Sequence, residues 1–101
     1  MGCPVVLTPQ SQDDLREIVS FIARDSPEHA RRFGYLLVDT ALSLGAQPER
    51  GRAVPEQDDP AVREIIRGAY RIIYEVVRDP SAVFVLRFWH GARGTPEIPK
   101  V

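Results

Sequence analysis

The sequence predicts a single α+β domain built from one short N-terminal strand, an antiparallel helix hairpin and a three-stranded antiparallel meander completing a small sheet. Three observations carry this. Two capped amphipathic stretches follow one another between residues 9 and 44, and three β-type runs crowd between residues 62 and 89. Between them lies a stretch rich in proline, glycine and charge. At 101 residues the chain can hold one modest core, and 44% hydrophobic with 27% charged residues is a globular rather than a disordered composition.

The first element is the apolar run Val5-Val6-Leu7, which ends at Thr8-Pro9, a threonine able to cap a helix and a proline suited to its first turn. Leu15, Ile18, Val19 and Ile22 then recur at helical spacing, with Asp14, Arg16, Glu17 and Arg24 largely off that stripe. Ser26-Pro27-Glu28 repeats the cap-then-proline signal, and Ala30, Phe33, Leu37, Ala41 and Leu44 extend a second stripe until Gly45 and Pro48 stop it. The short Asp25-Ser26 joint makes the helices antiparallel. Residues 47–61 are expected to be a surface loop. Runs 62–67, 70–77 and 82–89 are joined by Gly68-Ala69 and by residues 78–81, turns so short that the strands must be antiparallel. This gives a domain over residues 1–94 and an irregular tail over residues 95–101.

Strand alternation sorts the side chains. Tyr70, Ile72, Tyr74 and Val76 oppose Arg71, Ile73, Glu75 and Val77; Ala82, Phe84, Leu86 and Phe88 oppose Val83, Val85, Arg87 and Trp89. Packing the aromatic and aliphatic sets on the hairpin gives one expected core of Leu15, Ile18, Val19, Ile22, Phe33, Leu37, Leu44, Ile72, Tyr74, Phe84 and Leu86. It leaves Arg71, Glu75, Arg87 and Trp89 on the opposite face, which Arg63 and Arg67 join if their strand pairs in that register.

Composition narrows the function. No apolar run approaches the roughly 20 residues that span a bilayer, and the first eight residues lack a secretory pattern, so a cytoplasmic, membrane-free protein is expected. Cys3 is the only cysteine, which excludes an internal disulfide and a zinc site of paired thiolates; no metal and no cofactor are expected. The net charge of −1 hides an uneven division. Residues 1–61 carry six arginines against ten acids, whereas residues 62–94 carry six arginines against Glu64, Glu75 and Asp79. Every basic residue except Lys100 is arginine, whose planar fork suits carboxylate and phosphate, so the C-terminal half points to an anionic partner.

The order strand, helix hairpin, loop and meander resembles the RelE/ParE toxin superfamily of type II toxin-antitoxin systems. The likeness is carried by Asp13-Asp14-Leu15-Arg16-Glu17-Ile18, Ser26-Pro27-Glu28-His29-Ala30, Pro48-Glu49-Arg50-Gly51-Arg52-Ala53-Val54-Pro55, Tyr70-Arg71-Ile72-Ile73-Tyr74 and Leu86-Arg87-Phe88-Trp89-His90-Gly91-Ala92-Arg93. The last three are more similar to the ParE branch. That resemblance implies a growth-inhibiting toxin of a plasmid-stabilisation or stress-response module, acting on DNA gyrase without being an enzyme, and neutralised by a cognate antitoxin protein. The antitoxin is expected to wrap the domain, with apolar anchors beside the helix hairpin and acids on the sheet arginines. Arg63, Arg67, Arg71, Arg87, Trp89 and Arg93 are the residues expected to bind target or antitoxin.

The alternative is the RelE branch, ribosome-dependent endoribonucleases that cut mRNA. Attack of a 2'-hydroxyl on its phosphodiester needs a base, cations for the developing charge and a proton donor for the leaving oxygen. Arg71 and Arg93 fall where that branch places functional arginines, and His90 is the residue best able to move protons, so Arg71, His90 and Arg93 are the catalytic candidates of this alternative. No lysine occurs in the sheet or the loop before it, and the C-terminal tyrosine of the RelE pattern falls at about Pro99; both departures count against RNA cleavage.

Overall fold

Thr8 caps the first helix as its position before a proline requires. In the computed structural model, which describes residues 2–99, its side chain accepts a hydrogen bond from the Ser11 amide at 3.2 Å, and Pro9 begins the helix. Strand β1 (Val5–Leu7) thus leads directly into α1 (Pro9–Ala23), and α2 (Pro27–Ser43) follows, capped by Ser26 through the His29 amide. The remaining strands are β2 (Arg52–Ala53), β3 (Val62–Arg67), β4 (Tyr70–Arg78) and β5 (Ser81–His90), followed by a 3-10 turn over Gly91–Arg93. Strand β2 departs from the expectation that residues 47–61 hold no regular element. It pairs Arg52 with Glu64 and Ala53 with Arg63 on β3, and two residues are too few to leave a periodic signal. Neither helix is long and apolar enough to cross a membrane.

The five strands form one sheet in the order β1-β5-β4-β3-β2, with β1 parallel to β5 and every other neighbouring pair antiparallel. Gly68, at φ 58°, makes the two-residue turn between β3 and β4. The helix hairpin carries the chain across one face, and Thr8 fastens the crossover by donating its hydroxyl to the Val85 carbonyl at 2.8 Å.

The hairpin packs Ile18, Leu37 and Ala41 against Tyr70, Ile72, Val85 and Phe88, and Leu44 against Tyr74 and Val83. Strict alternation fails on β5. Ile73 faces Arg87 but Tyr74 faces Val85, so Leu86 is an extra residue in a β-bulge. Phe84 and Leu86 consequently leave the helix face, where alternation had put them, while Phe88 stays. They join Val54, Val62, Ile73, Trp89 and Ile98 in a second cluster on the outer face. The expected single core is therefore two layers, one under the helices and one under the loop and tail. Residues 95–99 form no helix or strand, yet Pro96 is buried and Ile98 packs into that outer cluster. Lys100 and Val101 lie outside the described residues.

Candidate functional site

The outer face is organised around one cross-strand pair, Arg71 on β4 opposite Trp89 on β5. Trp89 is 3% exposed, and two guanidinium groups lie over its indole, Arg87 at 4.8 Å and Arg93 at 4.2 Å from the ring centre. Its Nε1 donates to the Gly94 carbonyl at 3.1 Å, which turns the 3-10 segment back onto the strand.

Arg71 is held by two carboxylates. Its Nε donates to Glu64 Oε1 at 2.5 Å, and its Nη1 and Nη2 donate to the two oxygens of Glu56 at 3.1 and 2.7 Å. The Glu64 side chain is fully buried, and its other oxygen accepts from Arg52 at 2.8 Å. The result is an alternating network Arg52, Glu64, Arg71, Glu56 in which every charge has an opposite neighbour. Hydrogen bonding to Glu56 raises the Arg71 pKa, and the same bonds lower that of Glu56. Arg87 is also paired. Strand β1 covers β5 only as far as Val85, so beyond it the edge of β5 is open and α1 lies along it. Asp14 takes Arg87 Nε and Nη2 at 2.7 and 2.8 Å and the orphan Phe88 amide at 3.1 Å, while Arg87 Nη1 donates to the Glu97 carbonyl at 2.9 Å. The hydrogen bonds that Arg87 donates to Asp14 raise the Arg87 pKa.

Of the six residues expected to bind a partner, the structure brings Arg71, Arg87, Trp89 and Arg93 together. Arg63 and Arg67 stand on the other side of the sheet. The register pairs them with Tyr74 and Tyr70, both on the helix face, so the condition under which they would have joined the set is not met. Arg63 Nη1 donates to the Gly51 carbonyl at 2.9 Å, and Arg67 Nε to Thr40 Oγ1 at 3.2 Å. Within the assembled four, Arg87 and Trp89 are buried, Arg71 is largely covered, and Arg93 is exposed.

Three carboxylates that decide this arrangement escaped sequence reasoning. Asp14 lies off the apolar stripe of α1 yet is 4% exposed, and Glu56 sits in a stretch read only as loop. Glu64 carried a signal, since it alternates with Val62 and Ile66 on one strand face and such an acid needs a buried cation. On the helix side of the same end, α1 and the ends of β4 and β5 enclose a groove of about 640 Å³ lined by Glu17, Phe21, Arg24, Tyr70, His90 and Arg93, among others. His90 meets the Tyr70 ring edge-on at 4.9 Å, and its Nδ1 accepts from the Ala92 amide at 3.0 Å. That nitrogen caps the 3-10 turn, leaving only Nε2 for other chemistry. Chemically, the outer face offers cations already engaged by carboxylates and one exposed guanidinium on an aromatic platform, an arrangement suited to binding.

The model of the family described as ParE toxin of type II toxin-antitoxin system, parDE, matches residues 5–94. Among solved structures, the chain is similar to one in the chromosomal ParDE TA system from P. aeruginosa, with TM-score 0.70 and 20% identity over 87% of this chain and 95% of that one. It is also similar to one in the toxin-antitoxin complex RelBE2 from Mycobacterium tuberculosis, with TM-score 0.67 and 23% identity over 89% of this chain and 99% of that one. At these identities the likeness is one of fold, and it includes the strand, helix hairpin and sheet expected from the sequence. No curated protein matches the chain significantly in sequence.

Proposed function

Since the chain belongs to the ParE toxin family of type II toxin-antitoxin systems, we propose that it inhibits DNA gyrase by binding, without cutting RNA, and that a cognate antitoxin neutralises it. The observation that carries the reading is the pairing of Arg71 with Glu56 and Glu64. A ribonuclease on this face would need Arg71 free to meet the charge developing on a phosphodiester, and the buried Glu64 carboxylate, fixed on Arg71 Nε and on Arg52, opposes a phosphate there even when Glu56 is displaced. Arg87, bound to Asp14, is engaged in the same way. His90 spends one ring nitrogen on the Ala92 amide, and the chain's sole lysine is Lys100.

The antitoxin reading draws on the surface of the hairpin. Phe21 and Tyr35 are 64% and 65% exposed, and Leu36 and Leu42 are also exposed, an apolar set on helices that otherwise show charge to water. The two similar structures come from a ParDE system and a RelBE2 complex, which is consistent with a protein partner on this fold.

The test is induction of the toxin with separate measurement of plasmid supercoiling and message integrity. Supercoiling should fall while bulk message stays intact. His90→Ala should leave growth inhibition in place, and Arg93→Ala should weaken it through lost contacts. Site-specific message cleavage within minutes of induction, abolished by His90→Ala in a protein that still folds, would establish the ribonuclease instead.

A further inference from the structure

The outer face contains a carboxylate from the toxin's own loop at the spot where an acidic partner would bind. Glu56 reaches Arg71 from a turn in which the Gln57 amide donates to the Val54 carbonyl at 3.1 Å. Val54 is 1% exposed and anchors that turn in the outer cluster, whereas the Glu56 side chain is 31% exposed. The glutamate can therefore swing away without moving its anchor. Glu64 behaves differently. It is fully buried, fixed by Arg52 as well as Arg71, and would remain on Arg71 Nε with both Nη atoms left open. What opens is one side of a guanidinium fork, the geometry that takes a carboxylate in two parallel hydrogen bonds. Beside it, Ile66 is the cross-strand neighbour of Arg71 and is 44% exposed, and Arg93 stands exposed on Trp89.

We propose that Glu56 is an exchangeable latch, and that an acidic segment of the antitoxin binds this face by displacing Glu56 from the Nη side of Arg71 while an apolar neighbour rests on Ile66. This rests on the antitoxin reading above and adds that capture is a carboxylate-for-carboxylate exchange. Glu56 competes with the partner's carboxylate and lowers its net affinity, and the free toxin presents a neutralised face instead of an open arginine. The exchange also discriminates. A lone anion gains little over Glu56, whereas a segment that brings a carboxylate together with an apolar side chain gains the contact on Ile66 as well.

The experiment uses the full chain and a labelled ten-residue peptide of alternating glutamate and leucine, followed by fluorescence anisotropy at low and at physiological salt. Glu56→Gln keeps the shape of the side chain and removes its charge, and should tighten peptide binding by about tenfold, the ratio expected when one partly exposed charge-assisted contact no longer competes. Adding Arg71→Gln to that variant should abolish the gain, and Ile66→Ser should weaken peptide binding without affecting the weak binding of inorganic phosphate. Thermal melts and the Nη resonances of Arg71 report whether each variant folds and whether the fork has opened. Unchanged or weaker binding in a folded Glu56→Gln variant overturns the latch, as does a gain that survives loss of Arg71, or no peptide binding by any variant. Gyrase inhibition is measured on the same preparations. Its absence alongside the Glu56→Gln gain would sink the target assignment and leave the latch standing.

Discussion

Removing the carboxylate of Asp14 should cost this domain a large share of its stability. Arg87 and Asp14 are 7% and 3% exposed, and four hydrogen bonds converge on the aspartate, two from the guanidinium, one from the Phe88 amide and one from Gln10 Nε2. Asp14→Ala strands a buried cation with only the Glu97 carbonyl and the Trp89 ring beside it, and orphans the Phe88 amide as well. Breaking a buried ion pair from one side costs about 3–5 kcal/mol. A domain of this length has about 5–15 kcal/mol in total, so the variant should lose about a fifth of its stability or more. In thermal terms that is a fall of about 12–40 °C, taking 4–8 °C per kcal/mol for a chain of this size. Urea melts followed by circular dichroism would give the loss from the midpoint, provided the slope is unchanged. The double variant Asp14→Ala, Arg87→Met removes both charges and should recover much of the loss. A cost below about 1 kcal/mol for Asp14→Ala, or a double variant that costs the sum of the two singles, would refute the claim that this pair fastens α1 to the open edge of β5.

Gly51→Ala should destabilise by about 1–3 kcal/mol in the same melts, because a Cβ there would lie 2.6 Å from both the Glu64 carbonyl and the Tyr74 hydroxyl, and the backbone carbonyl cannot give way. Trp89→Ala should cost about 3–5 kcal/mol through the outer cluster, so any loss of toxicity in it reports folding; Trp89→Phe is the variant in which supercoiling assays can be interpreted. Glu56 and Glu49 both have folded pKa values lowered by their arginines, Arg71 and Arg78, so the stability they contribute is complete above the ordinary glutamate value of 4.5 and is lost as pH falls through the lowered values. Carbon-13 titration of the carboxyl groups should place both midpoints below 4.5, and a Glu56 midpoint at or above it would contradict the pairing with Arg71. Arg93→Ala should leave the melting temperature nearly unchanged, since Arg93 is exposed, while weakening growth inhibition; equal loss of both would mean that its contact with Trp89 is structural.

Sequence by itself determined the elements of this protein and their order. Thr8-Pro9 and Ser26-Pro27 fixed where the helices start, Gly68 the turn between two strands, and the apolar stripes which helix faces are buried, because caps, turns and periodicity act within a few residues and are written locally. It also determined the family resemblance, since the quoted fragments and their order can be read without coordinates.

Tertiary structure alone decided which charges face one another. The bulge at Leu86 shifted Phe84 and Leu86 to the outer face, and the register of β3 placed Arg63 and Arg67 behind the sheet with Glu64 beside Arg71. Asp14 and Arg87 are 73 residues apart in the chain, Glu56 and Arg71 are 15 apart, and nothing in the composition of either segment names its partner. A strand's parity fixes a side chain's face only up to the first bulge, and an arginine's role depends on whether a carboxylate from another element reaches it. Sequence could therefore forecast an arginine-rich outer face. Only the folded chain decided that most of its charge is already neutralised, because that neutralisation is a property of distances between elements.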